Sequence, residues 1–185
     1  LIKDKIPLPA ALGRVCPHPC EEACRRGLID EPISIQQLKR FAADNDLDGD
    51  AFLPECEEDT GKSVAIICGG PMGLSAAYFL SIMGHKVTVF EKRTQLGGML
   101  RYGIQNYRLP RERLQWDIDS ILSTGFEVKC DYDISSLDAM TEIRDNYDAI
   151  HISIVSHNAK SIGIPGEHAK GVIPAVEILR GIGDD

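Results

Sequence analysis

The sequence predicts an α/β fold that is built on a βαβ unit and preceded by a small α-helical region carrying cysteines. Residues 64–67 form a short β-branched apolar run, residues 68–73 form a glycine-dense turn, and residues 74–83 form an apolar segment of helix length. A second β-branched run at residues 87–90 ends at the acidic Glu91. This order, in which a strand is followed by a tight loop, a helix and a second strand, is typical of a βαβ unit, in which a crossover helix joins two parallel strands.

The loop of this unit has a glycine pattern that suits a diphosphate. Gly70 and Gly73 keep two positions of the three-glycine dinucleotide fingerprint, whereas Cys68 stands at the first. Met72 stands where a small residue is usual. Glycines let the backbone approach a diphosphate, the first helical turn offers N–H groups, and an acid such as Glu91 accepts a ribose hydroxyl. We therefore predict a dinucleotide site in a Rossmann-like domain; the alternative is a βαβ unit that binds no nucleotide.

The composition excludes several classes of function. The 185-residue chain has a net charge of -8 and no basic cluster, so nucleic acid and membrane surfaces are not expected partners. No apolar run approaches membrane-spanning length. Six cysteines are too few for a disulfide scaffold and predict metal or redox chemistry in a reducing compartment, with the cytoplasm as the expected location. The start LIKDKIPLP is neither a signal peptide nor a methionine start, so we expect part of a longer protein.

The cysteines near the start are regularly spaced. Cys16, Cys20 and Cys24 are each separated by three residues. Their thiolates converge if the proline-bearing start forms a turn and CEEAC forms a helical turn, which favours an iron–sulfur cluster. Zinc with His18 as a nitrogen ligand, and buried free cysteines, are the alternatives. Cys56, isolated in an acidic stretch, is interpreted as incidental.

The segment that follows predicts a helix and then a linker. Residues 32–43 predict an amphipathic helix with Ser34 as its N-cap. The apolar stripe of this helix comprises Ile35, Leu38, Phe41 and Ala42. The acidic run at residues 44–61 predicts a linker. We therefore expect a helical region with its linker over residues 1–61 and a Rossmann-like domain over residues 62–185.

A glycine-rich and basic loop follows the second strand. Residues 97–103 contain three glycines, and arginines follow as far as Arg113. Such a loop suits an anionic ligand, and a surface loop with solvated arginines is the alternative. A helix is then predicted from Pro110 to Gly125. The face that it buries comprises Leu114, Ile118, Ile121 and Leu122.

The remainder predicts alternating strands and helices. A short strand is expected at residues 126–130, followed by a helix that begins with Ser135 as its cap and ends near residue 145. Its inward residues are expected to be Leu137, Met140 and Ile143. Residues 149–155 read as a parallel strand buried on both faces, and Pro174 begins a last short helix.

Several motifs occur in an order that points to a family. They are GRVCPHPCEEACRRG, GGPMGLSAA, FEKRTQLGGMLRYGI, YRLPRE and IGIPGE. In this order they resemble the glutamate synthase small-subunit-like oxidoreductases, which include the amino-terminal half of dihydropyrimidine dehydrogenase. The resemblance implies an FAD and iron–sulfur (4Fe-4S) NAD(P)H oxidoreductase in which electrons pass from NAD(P)H to FAD and on through the clusters. It also implies that this chain is a fragment, with the NAD(P)H site and the partner domains or subunits outside it.

The resemblance also assigns residues. It implies that FAD is bound by Cys68, Gly69, Gly70, Pro71, Met72, Gly73, Glu91, Lys92, Gly98, Met99, Leu100, Arg108 and Ile134. It implies that Cys16, Cys20 and Cys24 are cluster ligands whose companions precede Leu1.

Two other hypotheses remain. The chain could be a non-catalytic relative that serves as a structural or interaction module, because Cys68, Met72 and Val155 depart from the family's cofactor loops. Cys68, at the mouth of a helix, could instead be a redox thiol with a lowered pKa.

Overall fold

The computed structural model describes residues 2–46, 54–156 and 158–184; residues 47–53 of the expected linker lie outside them. The helices are α1 Pro9–Val15, α2 Pro19–Glu22, α3 Ile35–Asp46, α4 Pro71–Ile82, α5 Met99–Tyr102, α6 Arg111–Leu122, α7 Leu137–Asn146 and α8 Ala175–Asp184. A 3-10 turn covers Arg25–Leu28. The strands are β1 Ser63–Ile67, β2 Lys86–Phe90, β3 Glu127–Lys129 and β4 Ala149–Ile152. Within the described ranges, no helix has the length and apolar character needed to cross a bilayer.

The four strands form one parallel sheet in the order β3-β2-β1-β4. Val64 of β1 pairs with Val87 of β2 on one side and with Ala149 of β4 on the other. The order reverses between β1 and β4, which is the point where α/β sheets open a crevice at the carboxyl ends of their strands. The predicted α/β fold is confirmed.

β4 differs from the strand that the sequence predicts. It ends at Ile152, and it lies at an edge of the sheet as described, with Ile152 half exposed. The residues of β4 are partly buried or exposed, and Ile154 and Val155 beyond it are 66% and 50% exposed, so the expectation of a doubly buried strand was wrong.

Helices cover both faces of the sheet. α1, α4 and α6 pack on one face, where the core includes Leu8, Ile66, Leu74, Val89, Leu114 and Ile118. α7 packs on the other face, where Ile143 contacts a smaller cluster around Phe90. Because Leu8 belongs to the same core as the sheet, the boundary between residues 61 and 62 stays a prediction.

α3 buries a different face from the predicted one. Leu38 and Phe41 are 59% and 68% exposed, whereas Ala43 is 3% exposed. The reason is close packing on α1: a Cβ added at Gly13 would lie 2.8 Å from the Cα of Arg40. Small residues permit this approach, and the larger apolar side chains therefore point away from the contact.

α7 begins one residue later than predicted. The hydroxyl of Ser136, not that of Ser135, caps the helix by accepting a hydrogen bond from the N–H of Ala139 at 3.1 Å. Leu137 is consequently 82% exposed, and Ile143 is the buried residue of the predicted inward set. The expected cap and the inward position of Leu137 were wrong.

α6 joins the first helix to the sheet domain. Leu114, Ile118 and Ile121 of its predicted face are buried, Leu122 is partly buried, and Pro110 stands immediately before the helix. Its fully buried Asp117, which sequence reasoning missed, accepts hydrogen bonds from the N–H groups of Ala10 at 3.1 Å and Ala11 at 2.7 Å. A carboxylate here satisfies N–H groups of the first turn of α1, which have no acceptor within the helix.

Candidate dinucleotide site

The turn after β1 holds Cys68 in a backbone conformation that usually requires glycine. Its φ is +88°, in the left-handed region, and its N–H donates to the carbonyl of Phe90 at 2.8 Å. Left-handed geometry costs an L-residue with a side chain roughly 1–2 kcal/mol. The chain therefore keeps the shape of the fingerprint's first glycine without the glycine itself.

Gly73 lets α4 approach the end of the sheet. A Cβ at this position would lie 2.0 Å from the carbonyl oxygen of Cys68 and 2.7 Å from Oγ of Ser153. The hydroxyl of Ser153 lies within hydrogen-bonding distance of the carbonyls of Ile67 at 2.8 Å and Cys68 at 2.9 Å. Ser153 thus links the end of β4 to the turn through hydrogen bonds. It is 2% exposed and was not among the predicted site residues.

A second glycine loop contacts the first through backbone atoms. The N–H of Gly97 donates to the carbonyl of Gly69 at 2.9 Å. A Cβ at Gly98, whose φ is +50°, would lie 2.7 Å from the Cα of Gly70. Side chains at these positions would force the two loops apart, so the glycines hold them together at the mouth of α4.

Glu91 faces the loop. It is 5% exposed, and its Oε2 accepts a hydrogen bond from the N–H of Gly69 at 2.7 Å. Its Oε1 accepts from the N–H of Arg93 at 2.9 Å. A carboxylate offers about four lone-pair positions, so these two bonds leave capacity for a ribose hydroxyl.

These elements surround one cavity at the carboxyl edge of the sheet. Its volume is about 310 Å³, which lies at the lower end of the range for ligand pockets. This volume can hold part of a dinucleotide. The predicted residues that line it are Cys68, Glu91, Lys92, Gly98 and Ile134.

Other predicted residues lie elsewhere. Met72, in the first turn of α4, is 49% exposed and points away from the core. Leu100 is buried in the main core. Arg108 is exposed and lines a separate hollow with Val15 and Tyr107. The assignment of these three to a bound cofactor stays a prediction.

The cysteine-bearing segment does not form a metal site from its own side chains. Cys20 is exposed, and Cys16 and Cys24 are partly buried. Among the residues that the structure describes, no group of three or more His, Cys, Asp or Glu side chains could hold a metal ion. A 4Fe-4S cluster bound by cysteine takes four thiolates, so these three cysteines do not fit a complete cluster site.

The environment of Cys24 nevertheless favours a thiolate. Hydrogen bonds from the backbone N–H groups of Ile33 and Arg26 lower the pKa of the Cys24 thiol. Thiolates, not thiols, are the form that binds metal. The assignment of Cys16, Cys20 and Cys24 as cluster ligands stays a prediction.

The hypothesis of a low-pKa thiol at Cys68 was wrong. Burial raises the pKa of this thiol, and the nearby charge of Glu91 raises it further. The backbone hydrogen bond from Gly70 is the second-largest effect and lowers the pKa, but burial outweighs it. Cys68 is a small residue in a glycine turn.

The left-handed backbone of Cys68 predicts an order of stability for its variants. Cys68→Val should lower the free energy of unfolding by about 2 kcal/mol, because a β-branched residue with positive φ is strongly disfavoured. Cys68→Gly should change it by less than about 1 kcal/mol, since relief of strain offsets the greater entropy of an unfolded glycine. Urea denaturation measures both values. Equal stability of the valine and glycine variants would contradict the assigned conformation.

Two family profiles match the sequence. Residues 1–50 match "dihydropyrimidine dehydrogenase domain II, 4Fe-4S cluster", and residues 66–121 match "NAD(P)-binding Rossmann-like domain". The first match covers the cysteine-bearing segment, and the second covers the loop after β1 and the glycine pair.

Relatives match over nearly the whole chain. The beta subunit of NADP(+)-dependent formate dehydrogenase of Moorella thermoacetica is 40% identical over 100% of this chain and 30% of the relative. The glutamate synthase [NADPH] small chain of Mycobacterium tuberculosis is 34% identical over 92% of this chain and 35% of the relative. The chain is thus related to part of the glutamate synthase small chain.

A third relative, the beta subunit of NADPH-Fe(3+) oxidoreductase of Geobacter sulfurreducens, is 39% identical over 90% of this chain and 25% of the relative. The chain therefore spans about a third or less of the length of these curated relatives. The resemblance that the motifs predicted is confirmed.

Solved structures share the fold. FprA of Mycobacterium tuberculosis, solved as a His57Gln mutant and in complex with NADPH, gives a TM-score of 0.57 at 20% identity, over 64% of this chain and 28% of that chain. A 2-naphthoyl-CoA reductase gives a TM-score of 0.56 at 22% identity, over 70% of this chain and 19% of that chain. The Rossmann-like architecture is confirmed.

Proposed function

We propose that this chain is the part of an FAD-dependent, iron–sulfur NAD(P)H oxidoreductase that binds the ADP portion of FAD. The observation that carries the proposal is the joint position of the two glycine loops and Glu91 around one cavity at the carboxyl edge of β1 and β2. Backbone N–H groups, a helix N-terminus and a carboxylate are the groups that bind a diphosphate and a ribose.

The chain's residues have distinct roles in this proposal. N–H groups of the first turn of α4 bind the diphosphate, because Pro71 at its first position has no N–H and those that follow have no acceptor within the helix. Glu91 accepts the ribose hydroxyl. Ile134 lines the same cavity and suits contact with a base or ribose. Bound FAD would supply the electron chemistry, so the protein needs no general acid or base here.

The whole protein is proposed to be of the glutamate synthase small-chain type. The identities above support this, and the NAD(P)H site and the remaining cluster ligands then belong to other domains or subunits. Cys16, Cys20 and Cys24 would supply part of one ligand set. Since the six cysteines in the structure are free thiols, we also propose a reducing compartment such as the cytoplasm.

A non-catalytic module is the second candidate. Val155, where the family loop has a small residue, lines the cavity and is half exposed. A bulky side chain there reduces the room for a ligand. A structural or interaction module would keep the fold while losing the cofactor.

Titration of the purified protein with FAD separates the candidates. A flavin site should quench the fluorescence of added flavin. It should also give an absorption band at about 450 nm that stays with the protein on gel filtration. Riboflavin should bind more weakly than FAD because it lacks the ADP portion. A colourless protein that takes up no FAD would favour the module, and tighter binding of NADPH than of FAD would reassign the loop to NAD(P).

A further inference from the structure

α8 contributes a side chain to the lining of the candidate cavity. Arg180, in α8, lines the cavity together with Cys68 and Glu91, although it lies far from both in sequence. Asn158, from the segment that leads to α8, lines it as well. The cavity is thus shaped by the βαβ unit and by a helix that the fingerprint does not include.

α8 is held against α5 at close range. A Cβ at Gly183 would lie 2.8 Å from the Cα of Tyr102 and 2.9 Å from the carbonyl oxygen of Arg101. This approach leaves no space for a larger residue, so α8 has little freedom to slide along α5. Arg180 precedes the contact by about one helical turn, which fixes its position at the cavity.

Five of the described residues that line the cavity are charged. Its charged lining residues are Glu91, Lys92, Arg93, Asp133 and Arg180. The ammonium group of Lys92 is 2.8 Å from the carboxylate of Asp133, and both oxygens of Glu91 accept backbone N–H groups.

The two arginines of the cavity differ in their anchoring. The guanidinium of Arg93 lies 4.6 Å from the centre of the Tyr102 ring, in a cation–π contact that favours this position. Arg180 lines the same cavity but belongs to α8. A guanidinium group suits phosphate oxygens, and both arginines lie at the cavity that the glycine loop and Glu91 line.

We propose that Arg180 binds a phosphate group of the dinucleotide, so that α8 completes the site. This inference rests on the proposed dinucleotide function and assigns the arginine that the site uses. Arg108, which the family resemblance places near the cofactor, lines a different hollow. A planar guanidinium binds two phosphate oxygens at once, which a lysine ammonium does not reproduce.

Calorimetry with ADP and adenosine tests the assignment. Arg180→Gln should weaken ADP binding roughly tenfold or more, because the charge-assisted hydrogen bonds to the phosphate are lost, and should leave adenosine binding unchanged. Arg180→Lys should recover part of the loss. Arg144→Gln, which removes an exposed arginine of α7, is the matched control and should bind both probes like the wild type.

A second variant moves the arginine without removing it. Gly183→Ala should push α8 away from α5 and weaken ADP binding while the charge is retained. Circular dichroism and thermal unfolding confirm that each variant is folded. Equal ADP affinity of wild type and Arg180→Gln, or an equal loss for ADP and adenosine, would overturn the role of Arg180 alone. Failure of the wild type to bind ADP would overturn the dinucleotide function and this inference with it.

Discussion

Asp117→Ala is expected to lower the free energy of unfolding by about 3 kcal/mol, because two buried backbone N–H groups lose their acceptor. The carboxylate is fully buried and accepts from Ala10 and Ala11 at the start of α1. Urea denaturation measures the loss. Asp119→Asn, an exposed position in the same helix, should cost less than about 0.5 kcal/mol. A loss at Asp117 no larger than that of the control would contradict the capping role.

The same residue predicts a pH dependence. Burial raises the pKa of Asp117 from 3.8 to about 7, although the two N–H groups, Lys3 and Arg14 act to lower it. The folded state therefore binds a proton more readily than the unfolded state between these values. The stability that comes from binding this proton is full below pH 3.8, falls as the pH rises, and is lost above about pH 7.

Urea titrations from pH 4 to pH 8 should show this slope in the wild type. Asp117→Asn does not titrate, so it should lack the part of the slope that this carboxyl contributes. Identical slopes in the two proteins would show that Asp117 keeps an ordinary pKa.

Gly73→Ala is expected to lower the free energy of unfolding by about 3 kcal/mol or more and to abolish FAD binding. The added Cβ would meet the carbonyl oxygen of Cys68 at 2.0 Å, and both atoms belong to rigid backbone. α4 would have to move away from the sheet and from the mouth of the site. Chemical denaturation and flavin fluorescence measure the two effects.

Gly181→Ala is the matched control for Gly73→Ala. No heavy atom lies within 4 Å of a Cβ at Gly181, which lies within α8. Alanine is favoured over glycine in helices by about 1 kcal/mol, so this variant should be as stable as the wild type or more stable. A Gly73→Ala protein that matched the control would show that α4 tolerates displacement.

Local patterns predicted the elements that bury a periodic face. α6 buries Leu114, Ile118 and Ile121 as its spacing indicated, and β1 and β2 form where the β-branched runs lie. α3 has an equally clear stripe but leaves Leu38 and Phe41 exposed. Periodicity shows that a helix has an apolar face, whereas the contact that it makes depends on which neighbour can approach.

The candidate site was predictable where it lies in one stretch of sequence. The turn at Cys68 and the acid at Glu91 belong to a single βαβ unit, whose spacing carries the signal. Arg180 and Ser153 reach the site only through the packing of α8 and the pairing of β4 with β1. The spacing within the βαβ unit does not mark these two residues, because their position depends on contacts distant in sequence.

The central place of β1 in the sheet has a consequence for how the protein folds. One neighbour, β2, follows after a single helix, but Ser153 at the end of the other is 86 residues from its partner Ile67. Closing so long a loop costs entropy before any pairing is gained, so folding should be slow for a chain of this size. During synthesis, β1 remains without its second neighbour until β4 leaves the ribosome, and in that interval its apolar edge is open to aggregation and to chaperones.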